Sequence, residues 1–197
     1  MLPCSEACER NKGPILEILS GALQAHQLVL EIGAGTGQHA VHFARHLPHL
    51  AWQPTERAEY LDVLAARVQL EGPPNLRAPV ALDVNEEQWP VDMVDVVYSA
   101  NTLHIMAWHE VEAFLRGVGR VLGPDGLLAV YGPFRFDGRY TSDSNAAFDE
   151  YLRERDPDSA IRDFEAVDVH AVAMGLRLDA NHAMPANNQL LIWRRSR

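Results

Sequence analysis

Leu28-Val29-Leu30-Glu31-Ile32-Gly33-Ala34-Gly35-Thr36-Gly37 is the stretch that decides the fold. The apolar run Leu28–Ile32, closed by glycine, reads as a buried strand breaking into a loop. A helix follows over residues 37–47. Gly33 and Gly35 can take backbone angles closed to other residues and let a ligand approach the main chain. The N–H groups that open the helix then face that ligand. A dinucleotide site favours G-x-G-x-x-G, so that the pyrophosphate meets the helix start. Here the spacing is G-x-G-x-G, and the strand ends beside an acid, Glu31. A carboxylate there repels a pyrophosphate and suits a cationic ligand.

Outward from this stretch, strand and helix patterns alternate with short connections, which predicts an α/β sheet covered on both faces. Residues 14–25 carry a helical apolar stripe through Ile15, Leu19 and Leu23. Strands are expected over 50–54, 79–82, 94–99 and 127–131, with helices over 60–70 and 109–122. Gly123-Pro124-Asp125-Gly126 is a strong turn signal. Residues 132–163 are rich in Asp, Arg, Ser and Asn, with one helical stretch over 146–155. Such an insertion is either a lid beside a site or a plain surface excursion. A helix over 165–174 and strands over 176–182 and 189–194 complete the pattern. No linker or repeat divides the chain, so residues 1–197 predict one domain. Within it, 1–26 form an N-terminal segment and helix, and 132–163 a candidate substrate lid.

The 197 residues carry a formal net charge of -10, which disfavours a phosphate-backbone binder. Nucleic acid is therefore an unexpected partner, and the short basic tail Arg194-Arg195-Ser196-Arg197 reads as solvated. A small-molecule acceptor is the default substrate. No apolar run approaches the roughly 20 residues that cross a bilayer. The N-terminus lacks the basic and apolar regions of a signal peptide. Cys4 and Cys8 are expected as free thiols, so the predicted compartment is the cytoplasm. His39, His42, His46 and His49 span an arc of about 80° on one helix face. Because Ala40, Phe43, Ala44 and Leu47 fill the neighbouring stripe, the four histidines are expected on the solvated side, and no metal site is predicted.

Glu31 with the G-x-G-x-G loop resembles the first motif of class I S-adenosylmethionine-dependent methyltransferases. The resemblance implies a Rossmann-like, seven-stranded, mostly parallel sheet with helices on both faces and an antiparallel C-terminal strand. It also implies S-adenosylmethionine as cofactor, its methionine amino group near Glu31 and its main chain contacts at Gly33, Ala34 and Gly35. Glu56, at the tip of the second strand, is then the acid for the ribose hydroxyls, or else a solvated loop residue. Arg57 beside it suits a 2′-phosphate and keeps an NADP-dependent oxidoreductase in play. Asp83 is implied as the partner of the adenine amino group and Val84 as the N–H for a ring nitrogen. Asp83 is also placed to cap a helix opening at Asn85-Glu86-Glu87. Asn101, leaving the fourth strand, faces the transferred methyl in such enzymes. His104 is a candidate general base, although capping of the adjacent element is the reading favoured here.

A second resemblance covers nearly the whole chain. Cys8-Glu9-Arg10-Asn11-Lys12, Asn101-Thr102-Leu103-His104-Ile105, Tyr131-Gly132-Pro133-Phe134, Ser144-Asn145-Ala146-Ala147-Phe148-Asp149, Arg162-Asp163 and Met184-Pro185-Ala186-Asn187-Asn188 are similar to the domain of unknown function 938 family. That family is assigned to the class I methyltransferases by fold and motif. Its stretches mark Arg10, Asn11, Tyr140 and Asn145 as substrate-binding candidates, with Tyr140 a second candidate base. Arg10, Arg155 and Arg162 either meet a substrate carboxylate or pair with acids such as Glu9 and Asp163. An Asn-Pro-Pro-Tyr motif is absent after the fourth strand, which lowers the odds of amide or exocyclic-amine methylation. A non-catalytic module that keeps the cofactor site is the rival from a different class.

Overall fold

The computed structural model describes residues 2–196. Met1 and Arg197, the ends of the expected domain, lie outside the described residues. Helix α1 (Glu6–Ala22) leads into β1 (Leu28–Ile32), α2 (Gln38–His46), β2 (Ala51–Glu56), α3 (Leu61–Glu71), β3 (Val80–Ala81) and β4 (Val94–Ala100). Then follow α4 (Trp108–Val121), β5 (Leu122–Gly132), β6 (Phe134–Phe136), β7 (Arg139–Tyr140) and α5 (Asp143–Arg155). The described chain closes with β8 (Arg162–Asp163), α6 (Phe164–Ala173), β9 (Leu176–Met184) and β10 (Asn188–Arg195).

Seven strands form the main sheet in the order β3-β2-β1-β4-β5-β10-β9. Neighbours from β3 to β5 pair in parallel, and β10 runs antiparallel to both β5 and β9. The sheet is thus the class I methyltransferase sheet. Alternation along each strand sends residues to two cores. Leu30, Ile32, Val97 and Leu128 pack against Phe114 and Val118 of α4 and Val167 of α6. Val29, Trp52, Val96 and Tyr98 pack on the other face against Ile15 and Leu19 of α1 and Phe43 of α2. Trp52, Tyr98, Phe43 and Phe114 are fully buried, and aromatic side chains of this size dominate core energetics.

Three local readings need correction. Helix α1 begins at Glu6, eight residues ahead of expectation, because Ser5 caps it by accepting from the Cys8 N–H and Glu6 and Glu9 complement its first turn. Pro14, read as the helix start, lies inside it. The turn at Gly123–Gly126 is present as an exposed kink at Pro124 and Asp125, but it falls within β5, where the β4–β5 register shifts. The insertion also contains more structure than its helix. β6, β7 and β8 make a small three-stranded sheet in the order β7-β6-β8.

Candidate functional site

The loop after β1 is shaped by what crowds it. Gly33 has φ +72°, and a Cβ there would lie 2.4 Å from Cγ2 of Thr102, so neither backbone nor space admits a side chain. Gly35 has φ +56° but opens onto free space. Its N–H donates to Oε2 of Glu56 at 2.6 Å, while Oε1 accepts from the Arg57 N–H at 2.9 Å. The Ala34 N–H donates to the Thr55 carbonyl at 2.9 Å. The carboxylate at the tip of β2 is therefore fixed against the glycine loop.

These groups border a cleft of about 270 Å³ at the carboxyl ends of the parallel strands, where open α/β sheets take their ligands. Gly33 and Gly35 line it from the loop after β1, Glu56 and Arg57 from the end of β2 and the residue beyond it, Asp83 and Val84 from the loop after β3, and Asn101 and Thr102 from the loop after β4. Ile32, Leu82, Ile105 and Met106 give it apolar surface, and Glu110 of α4 closes one side. Asn101 sits at φ +58° with its N–H on the Tyr131 carbonyl at 2.8 Å. Thr102 is held by Ser99, Oγ to Oγ1 at 2.6 Å, and Ser99 donates to the Ile32 carbonyl at 2.8 Å. Asp83 accepts from both the Asn85 N–H, at 2.9 Å, and the Asn85 side chain, at 3.0 Å, so it closes a turn; no helix forms at Asn85-Glu86-Glu87 for it to cap. The Arg57 guanidinium is turned to Glu59 at 2.9 Å.

Residues 2–195 match the family model described as "Protein of unknown function (DUF938)". The chain belongs to that family. Solved structures similar to this DUF938 chain include S-adenosylmethionine-dependent methyltransferases. The apo form of the methyltransferase SibL superposes with a TM-score of 0.80 at 22% identity, over 96% of this chain and 56% of that one. An O-methyltransferase family protein from Burkholderia thailandensis gives 0.81 at 17%, over 97% and 58%. Human N-acetylserotonin methyltransferase in complex with S-adenosylmethionine gives 0.75 at 15%, over 100% and 61%. The chain spans a little over half the length of these structures, and the likeness is one of fold.

Six of the eight residues expected at a cofactor line the cleft of the DUF938 chain: Gly33, Gly35, Glu56, Asp83, Val84 and Asn101. Ala34 and Glu31 lie outside that lining. Glu31 is 2% exposed on the opposite sheet face, where its Oε2 accepts from the Trp52 indole N–H at 2.7 Å. Burial, with the Glu56 charge adding to it and the Trp52 hydrogen bond opposing, pushes its pKa up to about 8. Thr102, Ile105, Met106 and Glu110 were missed as lining residues. Glu110 carried a signal, since its carboxylate accepts from the Ala107 N–H at 2.8 Å as a helix-opening acid does.

The histidine face is not uniformly wet. His42 is half-buried and His46 and His49 are exposed, but His39 is only 4% exposed. Its Nε2 lies 2.6 Å from Oδ1 of Asn11 and its Nδ1 3.3 Å from the Tyr98 hydroxyl. A neutral ring donating to Asn11 and accepting from Tyr98 satisfies both, and burial holds its pKa down at about 4. The expectation failed because α1 and β4 cover this end of α2. The N-terminal segment is tied to the glycine loop as well. Arg67 donates to the carbonyls of Thr36, at 2.6 Å, and Pro3, at 2.5 Å, while Gln38 accepts from the Ser5 N–H at 2.5 Å. Cys4 and Cys8 are free thiols.

The candidates on the acceptor side are mostly engaged in structure. Asn11 lies on the buried face of α1, against His39 of α2. Asn145 donates to Thr141, at 2.8 Å, and to the Asn187 carbonyl, at 3.0 Å. The Tyr140 hydroxyl donates to Asp149 at 2.7 Å, and that bond, first among several causes, raises its pKa. Among the described residues the His104 side chain caps no element: its ring packs edge-on to Phe148 at 5.5 Å, and burial followed by the Arg162 charge lowers its pKa to about 4. Arg10 is 70% exposed beside Glu6 at 3.5 Å. Arg155 donates to the Tyr151 hydroxyl at 3.1 Å, and Arg162 serves carbonyls rather than Asp163, which is paired with Arg135 at 2.5 Å. Among the described residues, no helix is long and apolar enough to cross a membrane.

Proposed function

We propose that this chain binds S-adenosylmethionine in the cleft and transfers its methyl group to a small-molecule acceptor, the whole chain acting as one methyltransferase domain. The carrying observation is the convergence of the glycine loop, Glu56, Asp83 and Asn101 on one cleft beside the open face of Gly35. The donor set fits the cofactor. Glu56, already fixed by two N–H groups, would accept from the ribose hydroxyls, and Asp83 and Val84 would frame the adenine between the apolar walls at Leu82 and Met106. Gly33 and Gly35, with Ala34 between them, would hold the methionine end; Glu31, outside the lining and kept protonated by burial, would take the amino group only by giving up its proton. When bound, the cofactor supplies a methyl made electrophilic by its sulfonium. The chain's own task is then to align an acceptor at the exit of β4 and to exclude water, with the insertion over 132–163 as lid.

His104, held neutral, and Tyr140, committed to Asp149, are poor bases in this arrangement. That favours an acceptor that loses its proton without a strong base, and it gives weight to the second reading, a non-catalytic cofactor-binding module. With Arg57 engaged by Glu59, an NADP site is the least supported reading. Free Cys4 and Cys8 fit a reducing compartment, so the cytoplasm is the proposed location. Calorimetric titration with S-adenosylmethionine, S-adenosylhomocysteine and NADP tests the cofactor. Micromolar binding of the first two is the expected result, and binding of NADP alone would sink the proposal. An acceptor screen on the binding-competent protein then separates enzyme from module.

A further inference from the structure

The turn after β4 carries its backbone carbonyls outward in sequence, and the end of the insertion takes four consecutive ones. Arg162 Nε–H donates to the Leu103 carbonyl at 3.0 Å. The Ala160 N–H donates to that of His104 at 2.9 Å. The Ser159 hydroxyl donates to that of Ile105 at 3.2 Å, and Arg162 Nη2 donates to that of Met106. Arg162 Nη2 also reaches the Asp158 carbonyl at 2.7 Å, folding its own segment around the guanidinium. One residue away, the Ile161 N–H donates to Asp149 of α5 at 2.5 Å, and Asp149 in turn holds Tyr140 at 2.7 Å and Arg153 at 3.0 Å. The clamped turn is the one that contributes Ile105 and Met106 to the cleft. A planar fork of donors suits this task, because one rigid group spans three carbonyls that a point ammonium cannot.

We propose that Arg162 is a positioning residue through which the insertion after β5 sets the cleft wall at Ile105 and Met106, so that filling the cleft and ordering the insertion are coupled. The inference rests on the cofactor reading above. Coupling of this kind needs a contiguous element that both sites bias. Here that element is Ser159–Arg162, bonded to the turn on one side and to α5 through Asp149 on the other.

Arg162→Lys tests it, with hydrogen exchange of the full chain measured with and without S-adenosylhomocysteine. In the parent protein the ligand should slow exchange over residues 100–108 and also over 139–162. In the variant the slowing over 139–162 should disappear and the ligand dissociation constant rise by about tenfold. A purely structural role would lower the melting temperature while leaving the reach of ligand protection and the affinity intact, and that result overturns the proposal. Equally damaging would be a parent protein whose insertion ignores the ligand. If the parent binds no S-adenosylhomocysteine, the cofactor reading fails by itself. The positioning role is then decided by exchange at residues 103–106 in the free proteins, faster in the variant if the role holds and unchanged if it does not. Ser159→Ala removes one of the four bonds and serves if the lysine variant does not fold. Its expected loss of affinity is about two- to threefold, with a matching partial loss of protection, and parent-like behaviour in it counts against the proposal.

Discussion

Glu56 receives two backbone N–H groups, from Gly35 and from Arg57, so its removal frees the glycine loop and the tip of β2 together. Bonds to a charged acceptor contribute about 1.5–3 kcal/mol each. Glu56→Ala should therefore lower the melting temperature through these two bonds, and the loss of a bond of the same kind to the ribose should weaken S-adenosylmethionine binding by about ten- to a hundredfold in calorimetry. The two loop glycines should separate in a denaturation experiment. Gly33→Ala meets both a positive φ and Thr102 at 2.4 Å, and should cost about 2–4 kcal/mol. Gly35→Ala meets only the backbone penalty, about 1–2 kcal/mol. Equal losses would show that the Thr102 contact relaxes without cost.

Helix α1 docks with polar side chains as well as apolar ones. Asn11→Ala strips the Nε2–H of buried His39 of its acceptor, and an unmet buried donor costs about 1–3 kcal/mol. The expected outcome is that loss in chemical denaturation together with faster hydrogen exchange across α1, and unchanged exchange would mean the helix is held by Ile15 and Leu19 alone. What was legible in the sequence follows the same local-versus-tertiary line. Leu28–Ile32 and its glycines announce themselves because a strand, its break and the next helix are written in consecutive residues. Pro14 misled because proline favours the first turn of a helix, whereas Ser5 and the acids behind it had already opened one. His39 was misplaced because a helical wheel knows its own helix and not Tyr98 or Asn11 arriving from elsewhere. The two-residue strands β7 and β8 are too short to show a period. In the site, Glu56 and Asp83 were readable from strand ends. Ile105 and Met106 were not, since only the clamped turn folds them back over the cleft.

Across the whole molecule, buried ionisable groups set opposite limits on stability. Glu31 has its pKa raised from 4.5 to about 8, so its contribution is complete below 4.5 and is lost as the pH climbs through about 8. His39, His42 and His104 have theirs lowered from 6.5 to about 4, so their contributions are complete above 6.5 and are lost as the pH falls through about 4. Between 4.5 and 6.5 these three histidines outweigh the single acid and stability rises with pH. Above 6.5 the acid acts alone and stability falls, by about 2 kcal/mol up to pH 8. A melting-temperature series should therefore peak near pH 6.5. Glu31→Gln should flatten the alkaline limb while leaving the acid limb in place, and a variant that keeps the alkaline decline would assign it to other groups. The tether of the N-terminal segment has a consequence for how the molecule is made. Pro3 and Ser5 leave the ribosome well before Gln38 and Arg67, the side chains that fasten them. This stretch must wait unattached while the glycine loop and α3 are synthesised, which makes its docking a late event in maturation.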